Sequence, residues 1–286
     1  MCKYIFLLPL YNDWESFSLL LEKISKELSI IKKEAEILLV NDFSNIKPPK
    51  FKKYDNITKI RILNLKENLG SQKAISIGLT YLKNLEEEMI ITVLDSDGED
   101  DVKKIPIMIE NAEKNDNRVV VSTRAKRQEN FVFKLAYSAH KILTLFLTFK
   151  WISFGNFSSF SSKQLEKILS NSSSWLAISS CVARNCNILK IEAERKKRLI
   201  GISKLSYIGL ISHSLRVIAV FLLRSLTTSF FYIIILIIFF GLSSNYIKFL
   251  ICTIIIFNLL LVLTILKNKQ IKFQTSQDLI SEIIDQ

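Results

Sequence analysis

The chain has 286 residues, of which 49% are hydrophobic, and its mean hydropathy of +0.26 is high for ordinary soluble domains. Part of the chain is therefore expected to lie in a membrane. The net charge of +12 indicates anionic partners, among them nucleic acid, acidic lipid and phosphorylated substrates. Seven Gly and four Pro exclude collagen-like and Pro-rich disordered compositions.

The basic excess forms one block. Between Arg118 and Arg216 there are 17 Lys/Arg and 4 Asp/Glu, whereas the rest of the chain is nearly neutral. The four cysteines lack zinc-type spacing, which favours reduced thiols over a disulfide framework. The apolar residues 1–10 are too few, and too soon closed by Pro9, for a signal peptide, so we expect no export of the N-terminus.

The N-terminal two-thirds alternates short apolar runs with helical patterns. Runs rich in Ile, Val and Leu predict five buried parallel strands, Tyr4–Leu8, Ile37–Val40, Ile60–Leu63, Met89–Leu94 and Val119–Val121. Apolar residues at helical spacing predict helices over 17–28 and 74–82. The order βαβαβαβ is typical of a doubly wound α/β sheet, in which ligands bind beyond the carboxyl ends of the strands.

Acidic side chains follow three of these strands. Asp13 follows the first strand, Asp42 the second, and the run 95–101, Asp-Ser-Asp-Gly-Glu-Asp-Asp, the fourth. Carboxylates gathered at one sheet edge repel an anionic substrate unless a divalent cation lies between them, and oxygen ligands suit Mg²⁺ or Mn²⁺. The pattern predicts a metal ion and a diphosphate. By itself the Asp-x-Asp loop also fits a solvated turn in which Asp95 caps the next helix.

The C-terminal third is predicted to contain the membrane segment. Residues 225–247 and 249–266 carry no charge, and as helices they would be roughly 34 and 27 Å long, against a bilayer core of about 30 Å. Their short separator predicts an antiparallel hairpin, and the Lys and Arg residues flanking the pair place both ends in the cytoplasm. The alternative is two buried helices of a soluble core. Apolar periodicity within 209–224 predicts an interfacial helix.

Five motifs resemble family 2 glycosyltransferases with the GT-A fold, in particular the polyprenyl-phosphate hexose synthases. This group includes dolichyl-phosphate mannose synthase and the bactoprenyl-phosphate glucosyltransferases. In chain order the motifs are Leu8-Pro9-Leu10-Tyr11-Asn12-Asp13, Val40-Asn41-Asp42-Phe43-Ser44, Asn68-Leu69-Gly70-Ser71-Gln72-Lys73-Ala74, Asp95-Ser96-Asp97-Gly98-Glu99-Asp100 and Arg198-Leu199-Ile200-Gly201-Ile202-Ser203-Lys204. The resemblance covers nearly the whole chain. With the hydropathy pattern, it divides the chain into a GT-A catalytic domain (1–208), an interfacial helix (209–224), two transmembrane helices (225–267) and a cytoplasmic tail (268–286).

The resemblance implies a donor site for a nucleotide-sugar. The residues expected to contact the donor are Pro9, Tyr11, Asp13, Asp42, Asp95 and Lys204. The residues expected to hold the divalent cation are Asp95, Asp97 and Glu99. The residues expected to be catalytic are Asp97, Arg124 and Arg198. Asp13 replaces the family's Glu and would reach about one methylene less.

The resemblance also implies an acceptor site for a polyprenyl phosphate, lined by Arg124, Lys134 and Ser138. A lipid phosphate is already an anionic nucleophile at neutral pH, whereas a sugar hydroxyl needs a general base. The segment 131–149 interleaves charges with apolar residues suited to a membrane surface, which explains the basic block better than nucleic acid does. The expected partners are a nucleotide-sugar, a polyprenyl phosphate and a membrane. No nucleic acid is expected, and a homo-oligomer is left open.

Three departures from the family pattern bear on activity. Asn41 stands for Asp, Phe43 for Gly, and Asn156 for the Asp of a Gly-Asp-Phe segment, so that a carboxylate facing the sugar is missing. Phe43 is expected to disfavour any backbone conformation with positive φ, since only Gly adopts one at low cost.

The leading hypothesis is a metal-dependent glycosyltransferase on the cytoplasmic face of a bacterial inner membrane. The alternatives are an enzyme with a glycolipid or polysaccharide hydroxyl as acceptor and a noncatalytic membrane scaffold with the same fold. A nucleotidyltransferase is disfavoured because no Gly-rich loop bearing Arg or Lys follows the first strand.

Overall fold

The computed structural model describes residues 2–124, 131–170, 172–201, 207–269 and 273–286. Within these ranges the chain forms eight strands and nine α-helices. The strands are β1 (Lys3–Leu10), β2 (Ala35–Asn41), β3 (Ile57–Leu65), β4 (Met89–Val93), β5 (Arg118–Arg124), β6 (Phe154–Ser161), β7 (Asn187–Ala193) and β8 (Ile280–Asp285). The helices are α1 (Trp14–Ile31), α2 (Ser71–Lys83), α3 (Ile105–Lys114), α4 (Phe131–Thr148), α5 (Leu165–Ile168), α6 (Ile178–Asn185), α7 (Tyr207–Ala219), α8 (Leu222–Phe240) and α9 (Asn245–Lys269).

The strands form one mixed sheet in the order β7-β5-β6-β4-β1-β2-β3-β8. The neighbours β4, β1, β2 and β3 are parallel, and β7 is parallel to β5. Antiparallel pairs join β6 to both β4 and β5, and β8 to β3. The predicted α/β class with a mostly parallel sheet is confirmed. The expected βαβαβαβ order differs at one point, because residues 42–56, which contain Pro48 and Pro49, join β2 to β3 without a helix.

Helices cover both faces of the parallel strands. Phe6 and Leu8 of β1 pack with α1 and α3 in the main hydrophobic core. On the opposite face α2 approaches so closely that a Cβ added at Gly78 would lie 2.5 Å from Leu7 Cδ1 and 2.9 Å from Val40 Cγ2. The absent side chain therefore lets α2 lie against β1 and β2. Because β1, β2 and β4 are parallel, their carboxyl ends lie at one edge of the sheet.

The last strand, β8, comes from residues that the sequence assigned to a tail. It pairs with the edge strand β3, with Arg61 opposite Asp285 and Ile62 opposite Ile284. Arg61 Nε donates to Asp285 Oδ1 at 2.8 Å, and Lys59 Nζ lies 2.7 Å from Asp285 Oδ2. Pairing satisfies the backbone groups of β3 that an edge strand leaves open. The alternation of Ile280 to Asp285 is too short to predict this from sequence.

The chain divides into two compact units. The sheet unit comprises Met1–Gln128, Ser153–Lys204 and Lys272–Gln286, and the helical unit comprises Glu129–Ile152 and Leu205–Ile271. Two segments depart most from the boundaries expected from the sequence. Residues 129–152, expected in the catalytic domain, group with the apolar helices, and residues 272–286, expected as a tail, group with the sheet.

In the helical unit, α8 and α9 are long and apolar enough to cross a bilayer. The candidate spans are Leu222–Phe240, with a mean hydropathy of 2.1, and Asn245–Asn268, with 2.9. Within an apolar 18-residue window of each span, only 17% and 6% of the residues are buried, unlike the helices of a soluble core. Residues 241–244 join the two helices, so Lys248 lies in the first turn of α9 and not in the connection. The two apolar helices expected at the C-terminus are thus present.

Candidate functional site

A pocket of about 220 Å³ lies at the carboxyl ends of β1, β2 and β4. It is lined by Pro9, Leu10, Tyr11, Asp13, Asp42, Ser71, Asp95, Ser96 and Asp97. Five of the six residues expected at the donor are therefore brought together by three strand ends, although they are separated by up to 86 positions in the sequence. Ligands of doubly wound sheets bind at this edge. Ser71 and Ser96 belong to motifs that the sequence singled out, but neither was assigned a role.

Asp42 is buried and ties β2 to the loop before α2. Its two carboxylate oxygens accept hydrogen bonds from the backbone N–H of Leu69 at 2.7 Å and of Gly70 at 2.8 Å. Burial raises the pKa of Asp42, and the two backbone donors act in the opposite direction. One side of the pocket is thus held by a carboxylate that is already hydrogen-bonded to the protein.

Asp95 and Asp97 are the closely spaced carboxylates of the pocket. Burial, and next the charge of Asp95, raise the pKa of Asp97 to about 6. Asp97 Oδ1 accepts a hydrogen bond from the backbone N–H of Glu99 at 3.0 Å. The Asp95 backbone N–H donates to Asp100 Oδ2 at 3.0 Å. The loop thus holds two neighbouring carboxylates in place, and a cation between them would relieve their repulsion.

Glu99 does not line this pocket. Its carboxylate forms an ion pair with Arg195, whose Nε donates to Glu99 Oε2 at 2.8 Å. It lies instead in a separate small cavity with Gly155 and Phe157. Over the described part of the chain, no group of three or more His, Cys, Asp or Glu side chains is arranged to hold a metal ion. The structure therefore brings Asp95 and Asp97 together and leaves the third expected ligand apart.

The segment 194–201, which we call the basic segment, lies along the loop after β4. Its backbone donates from Lys196 to the Glu99 carbonyl at 2.8 Å and from Leu199 to the Asp97 carbonyl at 3.0 Å. Gly98, with φ +76°, leaves the space in which the Leu199 side chain packs. Two backbone bonds and one apolar contact thus hold the basic segment beside the two carboxylates.

Arg198 projects from this segment into the acidic pocket. Its Nη2 donates to both oxygens of Asp13, at 2.6 and 2.5 Å, and its Nη1 lies 3.7 Å from Asp97 Oδ2. Its Nε donates to the Ile200 carbonyl at 3.0 Å. The guanidinium is mostly buried, with 14% of the side chain exposed. It therefore neutralises part of the acidic pocket. Asp13, which was expected to contact the donor, is paired with Arg198.

The loop after β2 overturns the expectation about Phe43. Phe43 has φ +62°, in the left-handed region that Gly adopts at low cost. Surrounding hydrogen bonds enforce this turn: Asn41 Oδ1 accepts from the Ser44 N–H at 3.1 Å, Ser44 Oγ from the Asn12 N–H at 2.9 Å, and Asn12 Oδ1 from the Asn45 N–H at 2.9 Å. The turn geometry is thus present although a bulky residue occupies the position.

Asn156, the third departure, contacts Asp95. Asn156 Nδ2 donates to Asp95 Oδ1 at 3.0 Å, and Asn156 Oδ1 accepts from Gln72 Nε2 at 3.0 Å. Gln72 Oε1 in turn accepts from the backbone N–H of Ile178 at 2.8 Å. From the sequence, Asn156 was identified only as the replacement of a carboxylate, and Gln72 only as part of a motif. Their contact joins residues 84 positions apart, which no spacing could indicate.

The structure describes little of the remaining residues that were expected at the donor and acceptor sites. Lys204 lies outside the described residues, as do the side chains of Arg124, at the end of β5, and Lys134, in α4. Ser138 is exposed on α4 in the helical unit. The acceptor site therefore remains a prediction.

The profile of the family described as Glycosyl transferase family 2 matches residues 6–189. A curated relative, undecaprenyl-phosphate 4-deoxy-4-formamido-L-arabinose transferase of Photorhabdus laumondii, is 31% identical over 146 residues. That match covers 49% of this chain and 42% of the relative, so the chain matches less than half of the relative's length.

Two solved structures resemble this chain with a TM-score of 0.51. One is glucosyl-3-phosphoglycerate synthase from Mycobacterium tuberculosis in complex with Mn²⁺, uridine-diphosphate and phosphoglyceric acid, at 13% identity, with 78% of each chain covered. The other is a mycobacterial protein at 12% identity, with 78% of this chain and 75% of that chain covered. At these identities the likeness shows a common fold.

Proposed function

Because the chain belongs to glycosyl transferase family 2, we propose that it transfers a sugar from a nucleoside diphosphate-sugar to a polyprenyl phosphate at a membrane surface. The observation that carries the proposal is the pocket at the strand ends, where two neighbouring aspartates lie beside a largely buried arginine. The name of the curated relative contains undecaprenyl phosphate, which supports this class of acceptor.

The pocket suits the diphosphate of the donor. Arg198 offers a planar guanidinium that can exchange the carboxylate of Asp13 for phosphate oxygens of similar geometry. The basic segment keeps its backbone bonds to the loop after β4 during such an exchange, since only the side chain has to turn. Positive charge held at the leaving diphosphate before reaction is often worth several kcal/mol. Arg198 would thus bind the donor and stabilise the leaving group.

Asp95 and Asp97 would hold a Mg²⁺ or Mn²⁺ ion. Their oxygen ligands, mutual proximity and partial burial fit such an ion. Mg²⁺ is commonly bound by one or two carboxylates together with substrate phosphates, so a third protein ligand is not required. Bound there, the ion would neutralise charge on the diphosphate. Glu99 is left to position the basic segment through Arg195.

A lipid phosphate as nucleophile agrees with the residue chemistry of the pocket. The nucleophile is already ionised, so no side chain has to remove a proton from it. At position 156 the chain has a neutral amide that is hydrogen-bonded on both sides, and such a group cannot act as a base. A sugar hydroxyl as acceptor would require a general base, and the two neighbouring aspartates of the pocket are assigned to the cation.

The topology of the chain supports a membrane hairpin. The chain leaves the sheet unit after Lys204, and it returns to pair β8 with β3 in the same sheet. A segment whose two ends belong to one folded unit crosses a bilayer an even number of times, which agrees with two spans, α8 and α9. Lys and Arg flank both ends of the pair, and we therefore propose that the sheet unit faces the cytoplasm.

The direct test is transfer by the full chain in detergent or native membranes. Candidate nucleotide-sugars are supplied with undecaprenyl phosphate and Mn²⁺, and the lipid product is identified by mass spectrometry. Asp97→Ala is expected to abolish transfer. Asp116→Ala, a matched control at an exposed aspartate paired with Lys163, is expected to retain it.

Three outcomes would contradict the proposal. Full transfer by Asp97→Ala would contradict the assignment of the site. Transfer to a glycan hydroxyl without transfer to the lipid phosphate would favour the other acceptor class. Binding of a nucleoside diphosphate with Mn²⁺, without a product on any acceptor, would favour a noncatalytic scaffold.

A further inference from the structure

We propose that Gln72 and Asn156 form an amide relay that fixes the orientation of the Asp95 carboxylate in the nucleotide site. The relay runs from the Ile178 backbone N–H to Gln72, from Gln72 to Asn156, and from Asn156 to Asp95 Oδ1, with donor–acceptor distances of 2.8, 3.0 and 3.0 Å. The inference rests on the function proposed above for this site. It makes Gln72 and Asn156 positioning residues, which act through Asp95.

The two ends of the relay determine its direction. At one end, the Ile178 backbone N–H can only donate, so it requires the oxygen of the Gln72 amide. At the other end, an ionised Asp95 can only accept, so it requires the nitrogen of the Asn156 amide. Between them, Gln72 Nε2 meets Asn156 Oδ1. Each amide therefore has one orientation that satisfies every contact.

The relay connects Asp95 to three secondary-structure elements of the sheet unit. Gln72 lies in the first turn of α2 and is only 7% exposed, Asn156 lies in β6, and Ile178 begins α6. The backbone N–H of Asp95 is separately held by Asp100. Because Oδ1 is held by Asn156, the second oxygen of Asp95 has a defined direction for binding a ligand.

An amide at position 156 also avoids a charge conflict. A carboxylate there would place another negative oxygen about 3 Å from Asp95 Oδ1, and like charges at such a distance repel. The amide instead offers a donor to Asp95 and an acceptor to Gln72. The Asn156 amide, which stands where the family has a carboxylate, therefore has a role of its own in this chain.

The test measures binding of Mn²⁺ with a nucleoside diphosphate by calorimetry, using the full chain in detergent at pH 8. UDP, GDP, CDP and ADP are tried with the wild-type protein, and a nucleotide that binds is used for all variants. Asn156→Ala and Gln72→Ala are each expected to weaken Mn²⁺ binding roughly 10- to 100-fold, the usual effect of removing a group that orients a metal ligand. The double variant is expected to lose no more than Asn156→Ala alone, since Gln72 acts through Asn156.

Gln72→Glu tests the direction of the relay. The ionised carboxylate of this variant would accept from the Ile178 N–H and would force Asn156 to turn its nitrogen toward position 72 and its oxygen toward Asp95. Affinity for Mn²⁺ should then fall, although added negative charge alone would favour a cation. Ser159→Ala is the control. Ser159 lies on β6, the strand that also carries Asn156, and its buried hydroxyl lies 2.8 Å from that of Thr92 on β4. Loss of this hydroxyl pair should leave Mn²⁺ affinity unchanged.

The outcomes separate this inference from the proposed function. If the wild-type protein binds none of the nucleotides with Mn²⁺, the proposed function and the relay both fail. If it binds one and the Asn156 and Gln72 variants bind equally well, the relay alone is overturned. An additive loss in the double variant, a loss in Ser159→Ala as large as in Asn156→Ala, or tighter Mn²⁺ binding by Gln72→Glu would also overturn the relay.

Discussion

Replacing Asp97 by Asn is expected to stabilise the metal-free protein at neutral pH while abolishing transfer. The pKa of Asp97 is raised from 3.8 to about 6, mainly by burial and then by the charge of Asp95. The folded protein therefore binds a proton more tightly than the unfolded chain does. The stabilisation that the folded state gains from binding this proton is fully present below about pH 4 and is lost as the pH rises through about 6.

The size of the effect follows from the pKa difference. A shift of about two units corresponds to about 3 kcal/mol above pH 6, since one unit is worth about 1.4 kcal/mol. Asn resembles the neutral acid at every pH, and its oxygen can still accept from the Glu99 N–H. For a unit of this size, 1 kcal/mol shifts the Tm by about 2 to 4 °C, so the variant should melt roughly 6 to 12 °C higher at pH 7.5.

The assay is thermal unfolding of the full chain in detergent and EDTA between pH 4 and 8. The difference in Tm between variant and wild type should be small at pH 4 and should grow through pH 6. Asp116→Asn is the control, because the hydrogen bond and charge of Lys163 lower the pKa of Asp116, so its replacement should not stabilise. A constant difference across the pH range, or a variant less stable at pH 7.5, would refute the reasoning.

Three further predictions address the turn, the arginine and the last strand. Phe43→Gly should stabilise the protein by about 1 kcal/mol in thermal unfolding because it relieves a left-handed backbone, and an equal gain from Phe43→Ala would contradict this. Arg198→Ala should lower kcat/KM for the donor about 100-fold, whereas Lys197→Ala, at an exposed position, should change it little. Truncation before Ile280 should lower Tm more than Asp285→Ala does. The point substitution removes only exposed ion pairs, which are worth up to about 1 kcal/mol. Equal losses of Tm would argue against a structural role for β8.

The parallel core and the apolar helices could be predicted because their signals are local. Each strand from β1 to β5 contains a short run rich in Ile, Val and Leu, and α8 and α9 each contain a long apolar segment. The antiparallel strands gave no such signal. Most of β6 is Ser, Phe and Gly, and β8 is short, so each becomes a strand through the backbone groups of a neighbour.

The pocket could be predicted in part. The rule that ligands bind at the carboxyl ends of parallel strands identified Asp13, Asp42, Asp95 and Asp97 together, and the pocket contains all four. The same loop suggested Glu99 as a metal ligand, but Arg195 binds it elsewhere. A spacing pattern identifies residues on one loop, and it does not show which of them face the same cavity.

By itself, the sequence determined the α/β class, the family, the acidic strand ends and the two apolar helices, because these depend on residue type and short-range order. Only the tertiary structure decided that the end of the chain returns to the sheet, that Arg198 donates a hydrogen bond to Asp13, and that Gln72 is linked through Asn156 to Asp95. These contacts join residues tens to hundreds of positions apart. Distance and hydrogen-bond direction in the folded chain select the two residues of each contact, and neither quantity can be read from the local sequence.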